Sequence, residues 1–163
     1  MSFGMKPFYA DFTDIAAKET RVLTVLEPGD LPVGQYAFIE LYCDDPGCDC
    51  RRVLIQVVVD EDPSQVLATL NYGWESLAFY EGWVRNKAFA KECVGVSIDR
   101  LGPQSQYSRV FQQVFEWMLK DDAYNERLKR HYRMVKELQR AGQAGKARGR
   151  EMRKKRVRRR GKK

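Results

Sequence analysis

Histidine is almost missing from this chain of 163 residues, where His131 is the only one. That scarcity removes the zinc motifs that need two imidazoles. No H-E-x-x-H, G-x-S-x-G or G-x-x-x-x-G-K-[ST] segment marks a common hydrolase or nucleotide-binding site either. These absences point away from an enzyme, though they leave room for one. No apolar run has the length of a membrane span, and residues 1–14 lack the basic-then-apolar pattern of a secretory signal. The expected location is therefore the cytoplasm, or the nucleus if the source is eukaryotic, with no membrane partner. In a reducing compartment, cysteines serve more often as metal ligands or reactive thiols than as structural disulfides.

Acidic residues are missing from one place in particular. Between Lys146 and Lys163 there are twelve Lys or Arg and a single acid, Glu151. The chain carries +7, yet residues 1–145 hold seventeen basic against twenty-one acidic residues and so are mildly acidic. The excess positive charge belongs to the tail, not to the domain. The length suits one domain with a hydrophobic core, expected over residues 1–141 with its core in about 20–140. Residues 142–163 are expected to be a disordered Lys/Arg-rich tail, because they contain too little apolar surface to bury.

Periodicity gives the order of the elements. Thr20 to Leu26 reads as a first extended segment ending at Pro28-Gly29, and Tyr36 to Cys43 alternates between two faces. Arg51 to Asp60 follows, with Val53, Ile55, Val57 and Val59 on one face, and Val66 to Tyr72 comes after a turn at Asp62-Pro63-Ser64. Placing Cys43 opposite Cys50 sets Tyr36 against Val57 and Phe38 against Ile55. Helices are expected over Glu75–Asn86, Ala88–Cys93, Ser105–Lys120 and Ala123–Arg140, the last capped by Asp121 or Asp122, with an extended piece at Val94–Ile98. The last helix presents Tyr124, Leu128, Tyr132, Val135 and Leu138 as its apolar stripe and ends at Gly142. The fold class is α+β, an antiparallel β-meander of three to four strands followed by packed helices.

Three of the four cysteines, Cys43, Cys48 and Cys50, fall within eight residues in a Pro-Gly loop between two strands. Zinc takes thiolate or imidazole ligands in a tetrahedron with sulfur about 2.3 Å from the metal, and a hairpin mouth can supply three of them. The fourth ligand is expected to be Cys93, with His131 or a carboxylate among Asp44, Asp45 and Asp49 as alternatives. Free thiols in a polar turn, or a redox thiol whose pKa is lowered by Arg51 or Arg52, are the competing readings of the same spacing.

Aromatics cluster at Tyr72, Trp74, Phe79, Tyr80 and Trp83, where a stacking platform for bases is conceivable but core packing between sheet and helix is the better reading. Glu75 and Glu81 read as solvated helix charges, and His131 as a surface or packing residue. In the tail, Arg150, Arg153, Lys154, Lys155, Arg156, Arg158, Arg159 and Arg160 form a stretch suited to RNA or DNA phosphates. The basic residues Arg127, Lys129, Arg130, Arg133 and Lys136 could extend that track.

The segment Tyr42 through Arg52 has the pattern Y-C-x-x-P-x-C-D-C-R-R, and with it the chain resembles a family of small, mostly bacterial proteins with no settled activity. The resemblance extends to Asn71-Tyr72-Gly73-Trp74-Glu75 and to Arg127-Leu128-Lys129-Arg130-His131-Tyr132, covering about residues 35–135. It implies that Cys43, Cys48 and Cys50 act together. Some members of that family have a further cysteine-rich zinc motif at the C-terminus, in whose place this chain has its basic tail. The expectation is thus a non-enzymatic, zinc-stabilised domain with a nucleic-acid-binding tail. A thiol-based redox enzyme or sensor, and a protein-protein interaction domain, are the alternatives.

Overall fold

A computed structural model describes residues 4–160. The expected meander forms the centre of a six-stranded antiparallel sheet built from β3 (Gly34–Cys43), β4 (Arg52–Val59) and β5 (Asp62–Gly73). β6 (Gly95–Ile98) pairs with β5, while β1 (Met5–Pro7) and β2 (Arg21–Val25) share the outer edge of β3. β1 and the short helix α1 (Thr13–Glu19) are additions that the sequence did not signal, since three and seven residues are too few to display a period.

The β3–β4 register corrects the expectation. Tyr36 opposes Val59, Phe38 opposes Val57 and Glu40 opposes Ile55, a slip of two residues from the pairing anticipated. A two-residue slip keeps every side chain on its expected face, so the core pattern survives it. Its cause lies in the turn: Arg51 has φ of 44° and leaves the ladder, which lengthens the connection to residues 44–51. The face bearing Phe38, Ile55, Val57, Leu70 and Tyr72 packs against α4 (Ser108–Met118) and α5 (Asp122–Arg160). Phe111 and Phe115 of α4 meet Phe38 at ring separations of 6.3 and 6.2 Å.

A second, smaller cluster sits around Tyr80, Ala90 and Cys93, where α2 (Leu77–Trp83) and α3 (Lys87–Cys93) meet. Ser76 caps α2 through the Phe79 N–H, and Asn86 caps α3 through two N–H groups. Gly73 is required here: a Cβ on it would run into the Cys93 carbonyl and the Tyr80 hydroxyl. The aromatic segment is divided accordingly. Tyr80 is fully buried, while Phe79 and Trp83 pack around it, so the group works as core and not as a stacking platform.

α5 begins where expected, with the Asp121 side chain accepting the Ala123 N–H, but it does not stop at Gly142. It continues to Arg160, about 58 Å at 1.5 Å per residue. Gln, Ala, Lys and Arg between the glycines, and Arg, Glu, Met and Lys after them, are good helix formers, which accounts for the continuation. From Ala141 through Arg159 every residue is exposed. The buried side of the helix also differs from its predicted stripe: Leu138 is exposed, while His131 and Lys136 are buried with Tyr124, Leu128, Tyr132 and Val135. Residues 161–163 of the basic tail lie outside the described residues, as does the side chain of Arg160.

Candidate metal centre

The turn that follows β3 is locally determined. Asp45 receives the Gly47 N–H on its carboxylate at 2.8 Å and the Cys48 N–H on its carbonyl at 3.1 Å, a turn that Pro46-Gly47 favours. This folds the chain back so that the sulfurs of Cys43, Cys48 and Cys50 all lie within 4.8 Å of one another. Sulfurs bound tetrahedrally to one zinc are separated by about 3.8 Å, a spacing that small side-chain rotations reach from here. Cys43 and Cys50 are buried and Cys48 is partly exposed, and all four cysteines of the chain are free thiols.

Helix α5 holds the loop through one face. Tyr132 receives the Arg51 N–H and donates to Asp49, and the next two turns of helix bring Lys136 and Gln139 to the same side. The Lys136 ammonium donates to the carbonyls of Cys43 at 3.2 Å and Asp45 at 2.8 Å, and Gln139 donates to the Cys43 carbonyl at 2.9 Å. On the far side the Tyr80 hydroxyl donates to the Arg51 carbonyl, and the Arg51 guanidinium pairs with Asp49 and Glu75. The Arg51 pairs hold the Asp49 carboxyl below its usual value, assisted by Tyr132 and Lys136.

Lys136 is only 4% exposed, and among the described residues no carboxylate lies within ion-pair distance of it. A buried cation with only neutral acceptors is costly unless a negative charge stands nearby. The thiols are the available source. Hydrogen bonding from Cys50 lowers the Cys43 thiol to about 6 against the opposition of burial, with further help from the Asp45 backbone and Lys136. Cys48 is lowered for the same first reason, while Cys50, the donor to both, is pushed up. The trio therefore favours an anion at Cys43 even before any metal is considered.

The expected fourth ligand is not part of this group. Cys93 ends α3 in the second cluster, where burial raises its thiol, and among the described residues the gathered set contains Cys43, Cys48 and Cys50 with no fourth His, Cys, Asp or Glu. His131 is not there either. It is 1% exposed and stacked on Phe8, with Nδ1 2.6 Å from Glu40 and Nε2 2.6 Å from Glu19. Tyr42 donates to the same Glu40 carboxylate. The two ring nitrogens thus bridge the two carboxylates. This buried chain joins α1, β3 and α5, a role beyond the packing function expected of a lone histidine.

The basic face of α5 is also divided differently. Arg127 donates to the Glu19 carbonyl, Arg130 pairs with the Glu19 carboxylate and Lys129 with Glu126, while Lys136 is buried. Only Arg133 of that set stands exposed without an ion pair among the described residues, so no continuous cationic track runs along the domain. In the tail, Arg150, Arg153, Lys154, Lys155, Arg156, Arg158 and Arg159 are exposed along α5, with Lys155 paired to Glu151 at 2.9 Å. Among the described residues, no helix is long and apolar enough to cross a membrane.

The signal for Tyr132, Lys136 and Gln139 was present in the sequence as a spacing of four and three residues, but polar residues at such positions ordinarily read as solvated. Compared with family models, curated proteins and solved structures, the chain matches none, so the three-thiol site under Lys136 is judged on its own geometry.

Proposed function

We propose that the protein is a non-enzymatic domain stabilised by zinc on Cys43, Cys48 and Cys50, with its C-terminal helix serving to bind RNA or DNA phosphates. The supporting observation is the charge balance at the cluster. Three thiolates on a divalent zinc leave one net negative charge, and the buried Lys136, which has no carboxylate partner, matches it. Sulfur donors favour zinc over the hard cations that prefer oxygen. With Cys93 held elsewhere, the fourth position falls to solvent, a neutral ligand that keeps the site at one net negative charge.

The nucleic-acid part rests on the tail's charge. Its cations are exposed and mostly unpaired, and like charges recur four residues apart, as at Arg150 and Lys154 or Lys154 and Arg158. Such repetition weakens a helix in water and is relieved by phosphates, with an affinity that falls steeply as salt rises. Binding to a single-stranded RNA and to a DNA duplex, measured for the full chain and for a chain ending at residue 141, tests this. Loss of binding on truncation supports the reading, and equal binding at equal salt contradicts it.

The lowered Cys43 thiol favours a second reading, a thiol-based redox enzyme or sensor. Iodoacetamide separates the two. A metal-bound cluster resists alkylation until a chelator is added, whereas a free Cys43 thiolate labels quickly near neutral pH.

A further inference from the structure

The exposed half of α5 is cationic on every side. Arg150 and Arg159 are nine residues, or about two and a half turns, apart, so they point in opposite directions. Lys154 and Arg158 fill one flank between them, and Arg153 and Arg156 the other. The single acid of this stretch, Glu151, is paired with Lys155. The exposed bulky apolar residues Met152 and Val157 are five residues apart and thus about 140° apart around the axis. They form no apolar stripe of the kind that seats a helix on a bilayer or in a hydrophobic groove.

The helix also stands clear of the domain. Residues 141–145, Ala-Gly-Gln-Ala-Gly, are uncharged and put the first tail cation, Lys146, about 9 Å beyond Arg140. Residues 1–145 hold seventeen basic against twenty-one acidic residues, so a phosphate-rich partner is drawn to the helix and repelled by the domain. From Lys146 to Arg159 the cationic rod is about 20 Å long and, with side chains, about 10–12 Å across.

We propose that the helix from Lys146 to Arg159 lies in the major groove of B-form duplex DNA, its opposite flanks on the phosphates of the two groove walls. The inference rests on the nucleic-acid reading above and narrows its partner. Charge alone lets these cations hold any phosphate backbone, and their arrangement adds the preference. A flat anionic surface meets one side of the rod only. A single strand has to wrap around the helix to reach both sides, which costs it conformational freedom. The B-form major groove is about 12 Å wide and admits an α-helix between two rows of phosphates, whereas the A-form RNA major groove is deep and narrow. Contacts to phosphates position the helix without reading sequence.

The test titrates the full chain with three probes of one sequence: a DNA duplex of roughly 16 base pairs, one of its single strands, and the corresponding RNA duplex, at salt from about 50 to about 200 mM. The DNA duplex is expected to bind at least fivefold more tightly than either alternative at equal salt. Gly142, Gly145 and Gly149 have open space where a Cβ would stand, so replacing all three by alanine stiffens the helix without altering charge or contacts. This triple variant is expected to bind the DNA duplex at least fivefold more tightly and the single strand within twofold of the parent. Two double variants, Arg150→Gln with Lys154→Gln and Arg156→Gln with Arg159→Gln, remove equal charge from opposite sides. They are expected to weaken duplex binding to the same extent within twofold. Equal affinity for the three probes, no gain in the alanine variant, or a loss confined to one of the two pairs overturns groove binding and leaves the tail's nucleic-acid role standing. Failure of the full chain to bind any of the three probes at low salt overturns both.

Discussion

One helix holds two kinds of positive charge. In its first half, from Asp122 to Arg140, α5 buries Tyr124, Leu128, His131, Tyr132, Val135 and Lys136 against the sheet and the cysteine loop. In its second half, every residue from Ala141 through Arg159 is exposed. Lys136 is a single cation in a fixed geometry that calls for one specific counter-charge. The tail cations are many, exposed and interchangeable, and any phosphate backbone satisfies them. Burial therefore decides which positive charge acts on the fold and which is left for a partner.

The strongest way to break this contrast is at the thiols. Zinc held by thiolates contributes on the order of 10 kcal/mol of binding free energy in small zinc domains. Chelation, or Cys50→Ser, is therefore expected to lower the denaturation midpoint more than any other change described here, with the tail's nucleic-acid binding unaffected. Guanidinium titrations with and without chelator give the answer. Equal midpoints would leave Lys136 with no metal-borne counter-charge.

His131→Ala comes next, at about 3–5 kcal/mol, because it opens a cavity and strands the buried Glu40 carboxylate. Equilibrium unfolding at neutral pH measures it. A loss below 1 kcal/mol would show that the Glu19–His131–Glu40 chain is not intact in solution.

Lys136→Met sharpens the comparison through its sign. If the cluster holds a negative charge, removing the ammonium destabilises by about 1–3 kcal/mol. If the thiols are neutral, a well-packed methionine in place of a buried unpaired charge is neutral or stabilising. The same unfolding experiment distinguishes these.

Acid titration probes the other end of the domain. Burial alone would raise the Glu19 carboxyl, but hydrogen bonds from His131 and Arg130 hold it below its ordinary value of 4.5. A depressed folded pKa contributes stability that is complete above the unfolded value and disappears as the pH drops through the folded one. The wild-type protein should thus lose stability below about pH 4.5, where Glu19→Gln shows a flatter dependence from a lower neutral-pH starting point. Parallel curves for the two proteins would count against the pairing.

Smallest of all is the expected effect of ending the chain at residue 141. Among the described residues nothing beyond that point is buried, and Gly142, Gly145 and Gly149 each cost about 1 kcal/mol of helix relative to alanine. The thermal midpoint of the domain should move within about 0.5 kcal/mol of stability. Conversely, helicity measured by circular dichroism on the full chain should rise when RNA is added at low salt and fall back as salt is raised.

What the sequence disclosed follows the same division between periodic and individual interactions. Alternating Val53, Ile55 and Val57, or Val110, Phe111, Val114 and Phe115, repeat a pattern that many residues enforce, so strands and helices were legible from it. The β3–β4 register was legible only to within two residues, because both pairings keep the same face inward and the choice depends on the backbone of Arg51. Cys43, Cys48 and Cys50 were legible as a group because they are close in the chain. Cys93 was not separable from them, since its distance depends on how α2 and α3 fold back on β5. Lys136 and His131 were hidden for a different reason: each is buried through partners 85 or more residues away, and no local pattern announces such partners. The glycines of the tail pointed to a helix end at Gly142, yet the helix formers between and after them carry the helix on to Arg160.

The most direct test of the central claim is the metal content of protein purified without chelators or a metal-affinity column, compared with a protein in which Cys43, Cys48 and Cys50 are all replaced by serine. About one zinc per wild-type chain and none in the triple variant is the predicted result. A wild-type chain without bound metal, or a triple variant that retains it, would contradict the assignment of these three thiols as the metal's ligands.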